Sequence, residues 1–276
     1  MSGRTPGVIG RRRPGQLRRR LAVATWRPSK DGRIYARMAV DATPMLEYVE
    51  RVRAETGERI TLTHVVGTAL GHAISEVPEI RARIVLGRIV PFKTVDVGFA
   101  VDIDTGNDLA SAPVRSVDEK SPLEVARALT PSVHGLRDGS DRGQRIALRI
   151  VHHLPWWSLR AVVSFAGLLV SGFGWNAFGQ KRFPLGVAFV SNVGTLGLDE
   201  AFLAPLAFAR VPVYLAVGAV RDAALVVDGE VAVRPQVVLV ATADHRLVDG
   251  AHAGLIVARL REILSDPSVM DGRRPV

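Results

Sequence analysis

With 276 residues, 47% of them apolar, the chain can bury a substantial core and lies far from the composition of a disordered polymer. It contains no cysteine, which excludes disulfides, thiolate metal sites and a cysteine nucleophile. The formal charge is +9, but seven arginines (Arg4, Arg11, Arg12, Arg13, Arg18, Arg19 and Arg20) fall in the first twenty residues without an acid, leaving +2 for the rest. The basic signal therefore belongs to an N-terminal arm, residues 1–20, and speaks against a nucleic-acid-binding domain.

The arm does not continue into an export signal, because Leu21–Ala24 is broken by Arg27. A cytoplasmic protein is expected, with residues 21–276 as one domain.

Residues 33–41 alternate roughly and predict a strand. Thr43 and Pro44 predict an N-cap and a proline at the first helical position, opening a helix to about Thr56. Val65, Val66, Ala69, Leu70, Ala73, Ile74 and Val77 recur at three- and four-residue spacing, predicting a helix over 63–77 closed by Pro78. Residues 83–91 and 94–102 predict two arms of a hairpin, followed by a turn over 104–107 and a strand over 109–114. Ser121, Pro122 and Glu124 carry a capping-box signature, and their helix is predicted to reach about Leu129.

A polar, turn-rich stretch over 131–145 precedes an apolar insertion at about 146–180 that contains Trp156, Trp157 and Trp175. Residues 161–179 carry no formal charge over nineteen positions, close to the length of a membrane span. Ser164, Ser171, Asn176 and several glycines lower its apolarity. The first reading is a helical hairpin, buried or facing another subunit; contact with a membrane surface is the second, and a span the third.

In the last third, 185–190 predicts a strand leading to Ser191-Asn192, and 211–220 a long apolar strand. A hairpin turns at Asp228-Gly229, and 236–242 is a strand ending just before His245. An amphipathic helix is predicted from Ala251 to about Leu264. The fold class is α+β, one domain with a mixed, largely antiparallel sheet flanked by helices.

The stretch Asp244-His245-Arg246-Leu247-Val248-Asp249-Gly250 places a histidine and an aspartate four residues apart on a glycine-ended loop. A histidine near a carboxylate can be oriented as a general base near neutral pH. A hydroxyl at the strand end, Ser191, is of the type that stabilises an oxyanion. Each feature alone is ordinary: Asp249 reads equally as the cap of the following helix, and Ser191-Asn192 as turn chemistry.

Together they resemble a family. The segment 244–251 is similar to the signature of the acyltransferase catalytic domain of 2-oxoacid dehydrogenase complexes, which chloramphenicol acetyltransferase shares. Residues 189–197, 95–102, 114–124, 215–218 and 228–235 resemble further family segments in the same order. The resemblance implies a chloramphenicol-acetyltransferase-like fold, a homotrimer with active sites between subunits, and direct acyl transfer between thiols. It implies His245 as general base on the thiol of coenzyme A or a dihydrolipoyl group, and Ser191 as hydrogen-bond donor to the oxyanion. Asp249 would hold the His245 loop, through an arginine for which Arg18–Arg20 and Arg246 are candidates. No metal is implied.

Three features depart from the family pattern. Only a short basic arm precedes the domain, so a stand-alone enzyme is expected, using free acyl-CoA, a separate lipoyl protein or an acyl carrier. The 146–180 insertion stands where the family has a shorter polar connection. Arg81 in Pro78-Glu79-Ile80-Arg81 stands where the family commonly has asparagine. The alternative function is an inactive scaffold that keeps the trimeric fold.

Overall fold

A computed structural model describes residues 32–102, 109–138, 142–227 and 229–272. The arm, Arg18–Arg20 and the turn over 104–107 lie outside the described residues.

Among the described residues, one mixed sheet is built from β1 (Arg33–Asp41), β4 (Val97–Asp102), β5 (Leu109–Val114), β6 (Ala188–Asn192), β7 (Val213–Val217), β8 (Arg221–Val227) and β9 (Glu230–Asp244). Its order is β1-β9-β7-β6-β4-β5, with β8 also paired to β9. The β4–β6 and β6–β7 pairs are parallel and the others antiparallel. β2 (Ala82–Val85) and β3 (Arg88–Pro91) form a separate hairpin.

Alternation along the strands sends one set of side chains to a helical layer. Ala188 and Val190 of β6, Leu215 of β7, and Leu239 and Ala243 of β9 pack there against α1 (Thr43–Thr56), α2 (Leu62–Ser75), α3 (Pro122–Arg137) and α6 (Gly250–Ser265). α2 lies close against the sheet: a Cβ on Gly67 would run into the Phe99 ring, and one on Gly71 would stand 2.6 Å from Val117. Fully buried side chains such as Leu70, Ile74, Leu239 and Ile263 each contribute about 1.5–3 kcal/mol through removal from water.

Several predicted elements shift. α1 starts at Thr43 with Ala42 as N-cap, and Thr43 N donates to Asp41 Oδ1 at 2.8 Å, so Thr43 is the first helical residue and not the cap. α2 ends at Ser75, and Pro78 opens a 3₁₀ turn. The predicted strand over 83–91 is itself a hairpin, because Leu86 and Gly87 both take positive φ (49° and 79°), the conformation of a tight two-residue turn. Thus β4 pairs with β5 and β6 rather than with the run before it. α3 runs past the predicted end to Arg137, through Pro131, since Leu129 and Leu136 are buried in the core and offset the lost backbone bond. Strand β6 begins at Ala188, and the predicted strand over 211–220 is divided between β7 and the start of the connection to β8.

The 146–180 segment is largely helical, with α4 (Arg142–His153), α5 (Trp156–Gly167) and a π-helical stretch at Leu168–Phe173. Arg83 Nε donates to Gly172 O at 2.8 Å and Arg210 Nη1 donates to Gly167 O at 2.8 Å, fastening the end of this segment to the body.

Candidate active site

His245 follows the last residue of β9, and its position is set by backbone bonds. Its N–H donates to Gly32 O at 3.0 Å, while the N–H groups of Leu247 and Val248 both donate to Asp244 O at 2.9 Å. Within this turn His245 Nδ1 lies 2.9 Å from Val248 O. A carbonyl can only accept, so Nδ1 carries the proton and, in the neutral ring, Nε2 keeps a lone pair. The side chain is exposed. The turn therefore presents an oriented base to solvent.

Two acids flank it. Asp244 receives Arg246 Nη2 at 2.6 Å and Nε at 2.9 Å. Burial pushes the Asp244 carboxyl up, but the hydrogen bonds from Arg246 outweigh it and hold the carboxyl below its ordinary range. Asp249 is the N-cap of α6 and accepts from His252 N at 2.9 Å. That backbone bond lowers its pKa, with the His252 ring adding to the effect. Of the candidate arginines for Asp249, Arg246 instead folds back on Asp244, two residues away, because the turn brings that carboxylate nearer, and Arg18–Arg20 lie outside the described residues.

Ser191 is the penultimate residue of β6 and is half-buried. It lies beside Ala216 of β7, which lies beside Val240 of β9. Ala216 and Val240 pack on the sheet face opposite the helical layer, so Ser191 belongs to that face. Among the described residues its hydroxyl has no hydrogen-bond partner. The next residue, Asn192, turns to the helical side, where Nδ2 donates to Thr63 Oγ1 at 2.8 Å and Oδ1 accepts from Thr195 N at 3.3 Å. This side chain locks the strand end to the start of α2. Spacing alone gives no signal for it, since Asn192 and Thr63 are far apart in sequence.

A cleft of about 510 Å³ opens beside Asn192, between α1 and the β7–β8 connection, with Arg53, Thr61, Thr195 and Arg221 among its lining residues.

One chain does not bring Ser191 and His245 together. Val240 marks the level of Ser191, and His245 is five residues further along the chain from it. At about 3.3 Å per residue they are roughly 17 Å apart along the strand, plus two inter-strand spacings across the sheet. Side-chain rotation cannot close that gap.

This fold, with a histidine turn and a serine strand end at opposite ends of a mixed sheet, is that of an acyltransferase catalytic domain. The model of the 2-oxoacid dehydrogenases acyltransferase (catalytic domain) family matches residues 19–144 and 181–271. The chain belongs to this family, and residues 145–180 fall outside the match.

A curated relative is the dihydrolipoyllysine-residue succinyltransferase component of the 2-oxoglutarate dehydrogenase complex from Bartonella vinsonii subsp. berkhoffii, 28% identical over 199 residues. The match covers 72% of this chain but 38% of that protein, so the chain spans well under half of the relative's length. Among solved structures, dihydrolipoamide acetyltransferase from Azotobacter vinelandii superposes with a TM-score of 0.67 at 18% identity, covering 99% of this chain and 100% of that one. A serine, a histidine and an asparagine were studied there for their role in the catalytic mechanism. The cubic core of the pyruvate dehydrogenase multienzyme complex gives a TM-score of 0.66 at 19% identity, again covering 99% and 100%.

Proposed function

We propose that this protein transfers an acyl group from a thioester donor to a thiol, with coenzyme A and a dihydrolipoyl group, or another carrier thiol, as the exchanging partners. The observation that carries the reading is the His245 ring, whose Nδ1–H is held by Val248 O so that Nε2 can take a proton. Nε2 removes the proton from the attacking thiol, and the resulting thiolate adds to the thioester carbonyl. The Ser191 hydroxyl donates to the oxyanion of the tetrahedral intermediate, and the departing thiolate recovers the proton from the imidazolium. No covalent acyl-enzyme forms, which suits a chain without cysteine.

The separation of Ser191 from His245 supports a site completed by two subunits, with a homotrimer as the smallest assembly. Apolar groups left exposed, Tyr35 and Phe202 on the Ser191 face and Val226, Val231 and Val233 on the β8–β9 hairpin, support such contacts. Ser191, His245 and Asp249 also stand in the order of the three residues studied in the Azotobacter vinelandii enzyme, with an aspartate here four residues after the histidine. We assign Asp249 the role of fixing the His245 loop through the α6 cap. Residues 21–276 are read as one catalytic unit, with the segment at about 146–180 inserted.

The test is an acyl-CoA panel assayed with free dihydrolipoamide and with a lipoyl protein. Turnover that falls by orders of magnitude in His245→Ala supports the enzyme. Equal rates for the two proteins would leave the scaffold reading, which the oriented ring and open hydroxyl disfavour.

A further inference from the structure

The segment outside the family match, together with its immediate flanks, combines two surface properties. Between Asp141 and Asp199 the sequence contains no acidic residue, but it contains Arg142, Arg145, Arg149, Arg160, Lys181 and Arg182. Large aromatic side chains stand in solvent in the same segment: Trp156 is 76% exposed, Trp157 70% and Trp175 60%.

The fold organises these groups. On α5, Leu159 and Gly167 face the body, while Trp157, Ala161, Ser164 and Phe165 are exposed along the other side. The bonds from Arg83 and Arg210 hold the far end of the segment against the body, an arrangement suited to a helix lying along a surface rather than crossing one. Beyond it, Ala177 and Gln180 exchange backbone hydrogen bonds around Phe178 and Gly179, both at positive φ (52° and 78°). A bulky residue at positive φ is strained, and here it sits at a turn tip with its ring partly exposed. The turn packs on α4, where a Cβ on Gly179 would stand 2.9 Å from Ile146. The aromatic tip therefore stands against the helix that carries Arg145 and Arg149.

We propose that the 145–180 segment docks the protein on an anionic phospholipid surface. The tryptophans and Phe178 enter the boundary between headgroups and acyl chains, and Arg149, Arg160 and Lys181 meet the phosphates. Uniform positive charge disfavours a second copy of the same face, whereas tryptophan beside arginine suits a lipid interface.

Vesicle flotation of the 276-residue chain tests this, using phosphatidylcholine with and without phosphatidylglycerol. Binding is expected with phosphatidylglycerol, weakening with salt, with a blue shift of tryptophan emission. The variant Trp156→Ser, Trp157→Ser, Trp175→Ser keeps the N-terminal arm and should bind at least about tenfold more weakly. Absence of flotation by the wild type overturns the proposal. So does unchanged flotation of the triple variant, which would assign binding to the arm, or a change in oligomer size without a change in flotation. Should the triple variant misfold, Arg149→Gln, Arg160→Gln, Lys181→Gln decides: loss of the phosphatidylglycerol dependence supports the proposal and its retention overturns it.

Discussion

The two ends of the sheet hold their candidate residues by different means. At the His245 end, the ring and the turn are fixed mainly by residues within four positions, through Asp244 O and Val248 O. At the Ser191 end, the strand terminus is fixed by Asn192 reaching Thr63 on α2, 129 positions away. The first arrangement is a local turn on a long strand, and the second exists only once helix and sheet have packed. A base can thus be oriented by local chemistry, while the oxyanion side depends on the assembled core.

Substitution at each end separates chemistry from support. His245→Ala is expected to lower the acyl-transfer rate by about 10²–10⁴-fold in initial-rate assays, because it removes the Nε2 that takes the thiol proton in the proposed step. Ser191→Ala should cost about 10²–10³-fold with little change in thermal stability, since among the described residues its hydroxyl supports no internal bond. Co-expression of the two variants sharpens the comparison. If His245 and Ser191 of each site come from different chains, random assembly restores about a quarter of wild-type activity, whereas a single-chain site restores none.

Acid should loosen the Ser191 end first. His64, in the first turn of α2, has its pKa lowered from 6.5 to about 4, chiefly by burial, with Arg59 and Arg53 adding to the effect. Above pH 6.5 this histidine is neutral in both states; as the pH falls, the unfolded chain takes up the proton first. Stability is therefore lost between pH 6.5 and about 4, on the order of 3 kcal/mol from this group. Denaturant melts of His64→Gln should show a flatter pH dependence over that window, and amide exchange should rise there before it rises at β9. The smallest effect is expected at Asp249: Asp249→Asn keeps the cap and the melting temperature, while Asp249→Ala lowers the melting temperature by a few degrees at most. Thermal melts of both variants, alongside their rates, separate capping from loop positioning.

The elements legible in the sequence are those whose cause is local. The capping box at Ser121–Glu124, the periodicity of α2 and the alternation of β1 all appear in the structure. The turn at Leu86-Gly87 is hidden because leucine is an uncommon residue at positive φ. The length of α3 is hidden because burial of Leu136 overrides Pro131. Asp249 as cap is legible, but the choice of Asp244 by Arg246 is not, since both acids are within reach along the chain.

By itself the sequence determined the mixed α+β class, the helix caps and the candidates Ser191, His245 and Asp249, because side-chain patterning and local hydrogen bonding are written residue by residue. Only the tertiary structure decided that β9 runs between β1 and β7, which sets Ser191 and His245 at opposite ends of the sheet. Strand order follows from the burial of one shared core by distant segments, and no local pattern encodes it.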